Sequence, residues 1–414
     1  MANIIKLPQY IWYDPKEVDF PLPDSWQVTV NNIAGYNKPA MKADDIKAAV
    51  TSPIGMLPLR EYAKGKKEAV IIFDDLTRGT RVTEIVPFIL EELAEAGITD
   101  DRIRFIAGIA NHNALDRRGM VSKLGEDVVA RFPVYNHVPF INCTDIGTTS
   151  YGTEVSINSE VMHCDLKIAI GGILPHVQYG FSGGAKLIIP GISSYETVTA
   201  HHGITHNAWK ADQRKTGKPL LGNIDSPMHA DAMEVAEMVG LDMLVNTIPN
   251  GFGETAAVFA GALRPAYEKA VETAKAHYAA PNTRNSDIVI ANAFIKASEF
   301  NMGFSGMQAI KPEGGSFVLI AGSPSGQVIH YLFDNFGKTI SGAVSQNFPV
   351  PPHIEKIIFY NEFPEAKLYG KFVNPEKVLQ TNNWKEVIET LVKAHGNEAK
   401  VAVYPNADTL YFPG

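Results

Sequence analysis

The stretch His176–Gly203, "HVQYGFSGGAKLIIPGISSYETVTAHHG", gathers three of the chain's twelve histidines, five of its 34 glycines and one lysine, Lys186. Imidazoles with a near-neutral pKa give and take protons and bind transition metals. Glycine-rich backbone lets a flat ligand come close, and successive amides can form a nest for an anion. "GFSGGAK" matches neither standard nucleotide loop, because Leu187 follows the lysine and no G-x-G-x-x-G is present. Nucleoside triphosphate binding is therefore disfavoured, as is an NAD-dependent dehydrogenase. "HHGITH" lacks HEXXH and has no carboxylate at metal-ligand spacing, which weakens a zinc-hydrolase reading.

Polar residues also follow three other apolar runs. "AVIIF" leads into "DDLTRGTR", with Asp74, Asp75, Thr77, Arg78 and Arg81. "IRFIAG" leads into "IANHNALDRRG", where His112 lies between Asn111 and Asn113. "DIVIANA" leads into "FIKASEFNMGFSGMQAIK", with Lys296, Glu299, Gln308 and Lys311. Each residue has an ordinary reading by itself. Arg78 can be a surface ion pair, His112 part of an Asx-rich turn, and His176 a loop histidine. Lys186 can reach solvent, and His201 and His202 can answer the dipole of the helix that Ser193 or Ser194 caps. Polar clusters after four separate strands are harder to assign to chance, and together they describe a site for an anionic substrate.

The elements that position them read as α/β. Short β-branched runs alternate with helical patterns: "TEIVPFILEELAEAG", with Thr83 as N-cap and Gly97 as stop, "PMHADAMEVAEMVG", and Arg264–Ala280. In open α/β sheets ligands lie beyond the carboxyl ends of strands, where these polar segments fall. A chain of 414 residues exceeds one ordinary core. The polar joint "PNTRNS" sets a boundary near residue 280. The expectation is two domains, 1–280 and 281–397, each a mainly parallel sheet flanked by helices, with the site in the cleft between them. Residues 398–414 are expected to pack back on the first.

Formal net charge is −8, and no dense basic stripe offsets it, so nucleic acid and anionic membranes are poor partners. No apolar run reaches the roughly 20 residues that cross a bilayer, and the N-terminus lacks a signal-peptide layout. Two cysteines, Cys143 and Cys164, are too few for a disulfide framework. A cytoplasmic setting follows as the expectation.

The ordered set "DDLTR", an isolated histidine after the next strand, "GGILPH…GFSGGAKLIIPG…T…HHG" and a late "MQAIK" resembles the LarA family of nickel-dependent lactate racemases and 2-hydroxyacid epimerases. The block 171–203 carries most of the likeness. The resemblance implies a nickel-pincer nucleotide tethered through Lys186, with Gly183, Gly184, Asp75 and Thr77 around it and His202 as the nickel ligand. It implies His112 and His176 as the acid/base pair and Arg78 as the carboxylate anchor. Its Q-x-x-K pair falls on Gln308 and Lys311. The chemistry it implies is reversible hydride transfer from C2, which avoids a carbanion, with one histidine serving each enantiomer. It also implies separate cofactor-synthesis enzymes as partners and is compatible with a homo-oligomer.

The chain departs from the lactate pattern at several points. "RGTR" follows the first motif without proline, His112 sits in "ANHNA", and Lys296 and Glu299 occupy a loop that is apolar and aromatic in lactate enzymes. No late tryptophan is available to line a methyl pocket, because Trp384 lies in a helical pattern. More amides and charges suit a larger hydroxylated substrate, an aldonate-type sugar acid, better than lactate. The rivals are a small 2-hydroxyacid racemase, a hydrolase or lyase with an ordinary metal on His176, His201, His202 or His206, and a non-enzymatic organic-anion or nucleotide binder.

Overall fold

Ala69–Phe73, Leu166–Gly172 and Met243–Pro249 are buried at every residue. Runs that are apolar on both faces fit only the middle of a sheet covered by helices on each side. In the structure, a computed structural model that describes residues 3–203, 221–332, 349–363, 365 and 372–413, they are neighbours in one sheet of six. Its order is Thr255–Gly261, Met243–Pro249, Leu166–Gly172, Ala69–Phe73, Ile103–Ala107 and Val134–Asn136. All pairings are parallel except that of Thr255–Gly261, the antiparallel edge.

A second sheet of six runs Val378–Thr381, Ile354–Tyr360, Gly315–Ile320, Ile288–Asn292, Lys400–Tyr404 and Gln27–Val30. It is parallel throughout. The fold is therefore α/β with two parallel-dominated sheets, and the joint near residue 280 falls between them. The chain nevertheless crosses that joint twice. Gln27–Val30, from the N-terminal segment, pairs with Lys400–Tyr404. The C-terminal strand, expected to return to the first unit, is instead an inner strand of the second. "KVAVY" is buried at its last four residues and finds parallel partners on both edges there. Only the residues beyond it reach back, where Tyr411 exchanges backbone hydrogen bonds with Tyr278 and Ala280.

The two sheets share one core. A single apolar cluster contains Val70, Ile72 and Ala169 from the first sheet and Val289, Ala291, Phe317 and Phe359 from the second. Helix Val86–Glu95 and its neighbours cover the opposite face of the first sheet. Thr83 is not the cap of that helix. It lies in a 3₁₀ turn, Val82–Glu84, and the α-helix begins at Val86 with Pro87 in its first turn. Gly97 follows the helix at φ +91°, a conformation that favours glycine. Among the described residues, no helix is long and apolar enough to cross a membrane.

Each sheet reverses its strand order once. The first diverges between Ala69–Phe73 and Leu166–Gly172, the second between Ile288–Asn292 and Lys400–Tyr404. Such a switch point opens a crevice at the carboxyl ends, and here the two crevices face the same interior.

Two histidines are sealed into this framework. His137 bonds the Ser193 carbonyl at 2.8 Å, and His277 bonds the Pro249 carbonyl at 2.9 Å. Burial depresses both, to about 4. Folded and neutral, they bind fewer protons than the unfolded chain between pH 6.5 and about 4. Stability is therefore expected to fall as pH drops through that window, by about 1.4 kcal/mol per pH unit for each ring. Urea denaturation at stepped pH checks this, and His277→Gln should flatten the slope.

Candidate active site

The loop after Ala69–Phe73 is built around a buried charge. Lys123 is 0% exposed and sits on helix Arg117–Leu124, whose Asp116 side chain caps it by accepting from Gly119 N. Its ammonium bonds Asp74 Oδ1 at 2.7 Å and the Arg78 and Thr80 carbonyls at 3.1 Å each. Asp74 Oδ2 accepts from Thr80 Oγ1 and from Gly172 N in the neighbouring strand. A Cβ at Gly172 would lie 2.8 Å from Thr80 Oγ1, so that strand end must be glycine for the cage to close. The cage fixes residues 74–80 and aims Asp75, Thr77 and Arg78 into a cavity of about 530 Å³.

Asp75 and His112 form a buried pair, Oδ2 to Nδ1 at 2.6 Å. Asp75 Oδ1 accepts from the amide and hydroxyl of Thr77. Burial would raise the Asp75 carboxyl, but His112, Arg78 and Thr77 outweigh it and hold it well below the usual range. The carboxylate therefore accepts a hydrogen bond from His112 Nδ1–H, and in the neutral tautomer this leaves the lone pair on Nε2. Asp75 was expected to orient Arg78 or contact a cofactor. Its bonded partner is His112, which only the apposition of two strand ends reveals. His176 is arranged the opposite way. Its Nδ1 accepts from the backbone amides of Gln178 and Tyr179 at 3.1 and 3.4 Å, so in the neutral ring the proton is on Nε2. Burial, then Lys186 and Lys296, depress its pKa well below the ordinary value.

Lys186 Nζ lies 3.5 Å from His176 Nε2 and 3.5 Å above the Tyr179 ring. Burial, with Arg78 and Lys296 nearby, pushes its pKa far down and favours the neutral amine. Beneath it Tyr179 is braced by His201, OH to Nε2 at 2.6 Å, and His201 by Asp231 at 2.5 Å. Thr149 and Thr153 complete the Asp231 shell. That network separates the adjacent histidines. His201 is 0% exposed and committed to structure, while His202 lines the cavity. His202 Nδ1 donates to the Val198 carbonyl at 2.8 Å, and Ser194 caps this helix through Thr197 N.

The second sheet supplies the facing wall. Arg78 Nη1 bonds Glu299 Oε2 at 2.8 Å, and Glu299 Oε1 stands 4.0 Å from His112 Nε2. Lys296 is buried behind this pair. Its Nζ has no hydrogen-bond partner, and burial together with Arg78 lowers its pKa to about 8. Asp408, from the segment after Lys400–Tyr404, accepts from Lys296 N at 2.5 Å, and burial raises it to about 6. His330, not singled out in the sequence, stacks edge-on against His112 at 4.9 Å and also lines the cavity. The signal that it belongs here is its position in the loop after another strand, Gly315–Ile320.

The cavity thus collects Asp75, Thr77, Arg78, His112, His176, Gly183, Lys186, His202 and Glu299. Gly184 lies just behind it, against the Tyr267 ring. Gln308 and Lys311 do not reach it. Gln308 is exposed, and Lys311 is paired with Asp287 at the amino end of Ile288–Asn292. The intervening 3₁₀ segment, Phe300–Ala309, carries the chain back to the far end of the sheet. Lys296 and Glu299, before that return, are the residues that stay with the site. His206 lies outside the described residues. Among the described residues no three His, Cys, Asp or Glu side chains converge as a metal-binding group.

Replacing Lys123 with Met should leave Asp74 as an unpaired buried charge. The expected loss is about 3–5 kcal/mol of stability, read by denaturant titration. Lys123→Met combined with Asp74→Asn should recover part of it, because the orphan charge is then gone.

Residues 13–214 match the family described as lactate racemase N-terminal domain. The chain is 32% identical over 296 residues to the lactate racemase of Thermoanaerobacterium thermosaccharolyticum, and 29% identical over 305 residues to that of Lactiplantibacillus plantarum. The matched segments cover 70% and 72% of this chain, and 66% and 70% of those relatives. The fold superposes on the lactate racemase apoprotein from Thermoanaerobacterium thermosaccharolyticum with a TM-score of 0.74, at 22% identity and over the full length of both chains. A crystal structure of a Thermotoga maritima protein gives 0.65 at 17% identity, covering 90% of this chain and 98% of that one. With the family match running through the first-sheet loops that line the cavity and the fold match running end to end, this chain belongs to the LarA-like family.

Proposed function

We propose that this protein inverts the C2 carbinol of a 2-hydroxyacid, preferring a polar or sugar-type acid to lactate, with a nickel-pincer nucleotide held through Lys186. The observation that carries this reading is the pair of cavity histidines in complementary proton states. In its neutral form His112 offers a lone pair at Nε2, because its Nδ1–H donates to Asp75. His176 offers an N–H at Nε2 because backbone amides fill its Nδ1. Inversion through a ketone needs an acceptor for the hydroxyl proton on one side and a donor to oxygen on the other.

The wall residues fit the cofactor. Lys186 is a buried amine whose pKa is pushed well down, which favours the neutral state that can form a covalent thioamide link. His202 has its Nδ1 committed to the Val198 carbonyl, so the neutral ring carries its lone pair on Nε2, the atom suited to a metal. Gly183, at φ +72°, packs against Ile173 and Asn246 and turns the chain so that Lys186 faces inward. Bound here, the group would supply a reversible acceptor for the C2 hydrogen with its electron pair, which no side chain can do. Arg78 is the cation of the cavity wall that could hold the substrate carboxylate, with Lys296 behind it. Asp75 holds the ring of His112 and stabilises it once protonated. Glu299 can accept hydrogen bonds from substrate hydroxyls, whereas a methyl group would leave that carboxylate poorly solvated. Lactate is the second reading, favoured by the names of the two relatives.

Protein co-produced with the cofactor-synthesis enzymes should show an intact-mass increment and about one nickel per chain. Both should vanish in Lys186→Ala. A clean apo mass in a host shown to make the cofactor overturns the reading. In holoenzyme, Lys296→Met should reduce kcat/KM by roughly a hundredfold or more, as loss of a buried charged contact does. Lys311→Met should change it less than about twofold, since that side chain sits outside the cavity.

A further inference from the structure

We infer that Asn111 reads a substrate hydroxyl beyond C2, so that the site selects 2-hydroxyacids with a hydroxylated chain over those with a plain alkyl chain. This rests on the racemase reading above. Asn111 is 0% exposed and lines the cavity beside His112. Neither its Oδ1 nor its Nδ2 has a hydrogen-bond partner among the described residues. A buried amide with both ends unmet is costly and rare, and it points to a group supplied from outside.

The backbone leaves Asn111 little freedom to turn away. Its carbonyl accepts from Tyr331 N at 2.7 Å, Ala110 N bonds the Gly191 carbonyl, and His112 N bonds the Ile109 carbonyl. Ala110 is held at φ +52°, a strained setting for a residue with a Cβ. Asn113 shows the contrast. Its amide oxygen accepts from Ile329 N, so it serves as a clasp between the lobes.

An amide presents one acceptor and one donor side by side. A hydroxyl matches it, because it also donates and accepts. A carboxylate only accepts and would set oxygen against Oδ1. A methyl would leave both atoms unmet. The partner is therefore an alcohol, from the substrate chain or from the sugar of the cofactor, and the preference for a polyhydroxy acid follows if it is the substrate's.

The test uses holoenzyme of the wild type, Asn111→Leu and Asn111→Ser, with glycerate and lactate as probes. Inversion rates, calorimetric affinities, nickel per chain and melting temperature are measured for each. The wild type should favour glycerate. Asn111→Leu should cut glycerate kcat/KM by roughly tenfold to a hundredfold and leave lactate unchanged or improved, with nickel content intact. Asn111→Ser, a smaller change, guards against a folding failure and should fall between. Equal losses on both acids, no change on either, or loss of nickel (a contact to the cofactor sugar) would overturn the inference. A wild-type holoenzyme that binds neither acid brings down the racemase reading with it, whereas one that inverts both without preference removes only the role of Asn111.

Discussion

One buried ammonium organises the reactive half of this molecule. Lys123 has no exposure to water and is held in place by Asp74 and two loop carbonyls. Taking that charge out of water is expensive, and only a full set of partners makes it tolerable. Those partners are the backbone and side chains of residues 74–80, so the loop must keep one shape for the charge to stay satisfied. Asp75, Thr77 and Arg78 ride on that loop, and Gly172 ties it to the next strand. Any change that frees the lysine therefore loosens Asp75, the His112 ring it holds and Arg78 together.

The cavity above this cage is densely charged. Arg78 and Glu299 neutralise each other, Asp75 answers His112, and Lys296 remains unpaired behind them. Low dielectric makes each of these groups sensitive to the others. Burial and the neighbouring cations push the pKa values of Lys186 and His176 well down, toward their uncharged forms. Lys296 Nζ and both ends of the Asn111 amide are buried here without a hydrogen-bond partner among the described residues.

The two lobes are locked by a common apolar core and by backbone pairing of residues 111–113 with 329–331 at the cavity rim. The spacing of the cavity walls is therefore set by packing. Gln27–Val30, from the N-terminal segment, pairs with Lys400–Tyr404, so the second lobe is assembled from both ends of the chain.

Much of this was legible in the residues. Apolar runs of the right length gave the central strands, because a strand buried on both faces admits little else. The rule that α/β ligands sit beyond carboxyl ends pointed to His112, His176, Lys186 and Arg78, and all four line one cavity. What sequence order could not carry was the pairing of groups far apart in the chain. His112 meets Asp75 because two parallel strands are neighbours. His201 turns inward and His202 toward the cavity because Asp231 and Tyr179 claim the first of them. Gln308 and Lys311 matched a motif, yet a 3₁₀ segment returns them to the opposite end of the sheet, while Lys296 and Glu299 stay. Strand identity is a local property of side-chain pattern. Which side chains meet, and in which protonation state, is decided by apposition and by the removal of water, and both exist only once the chain has folded.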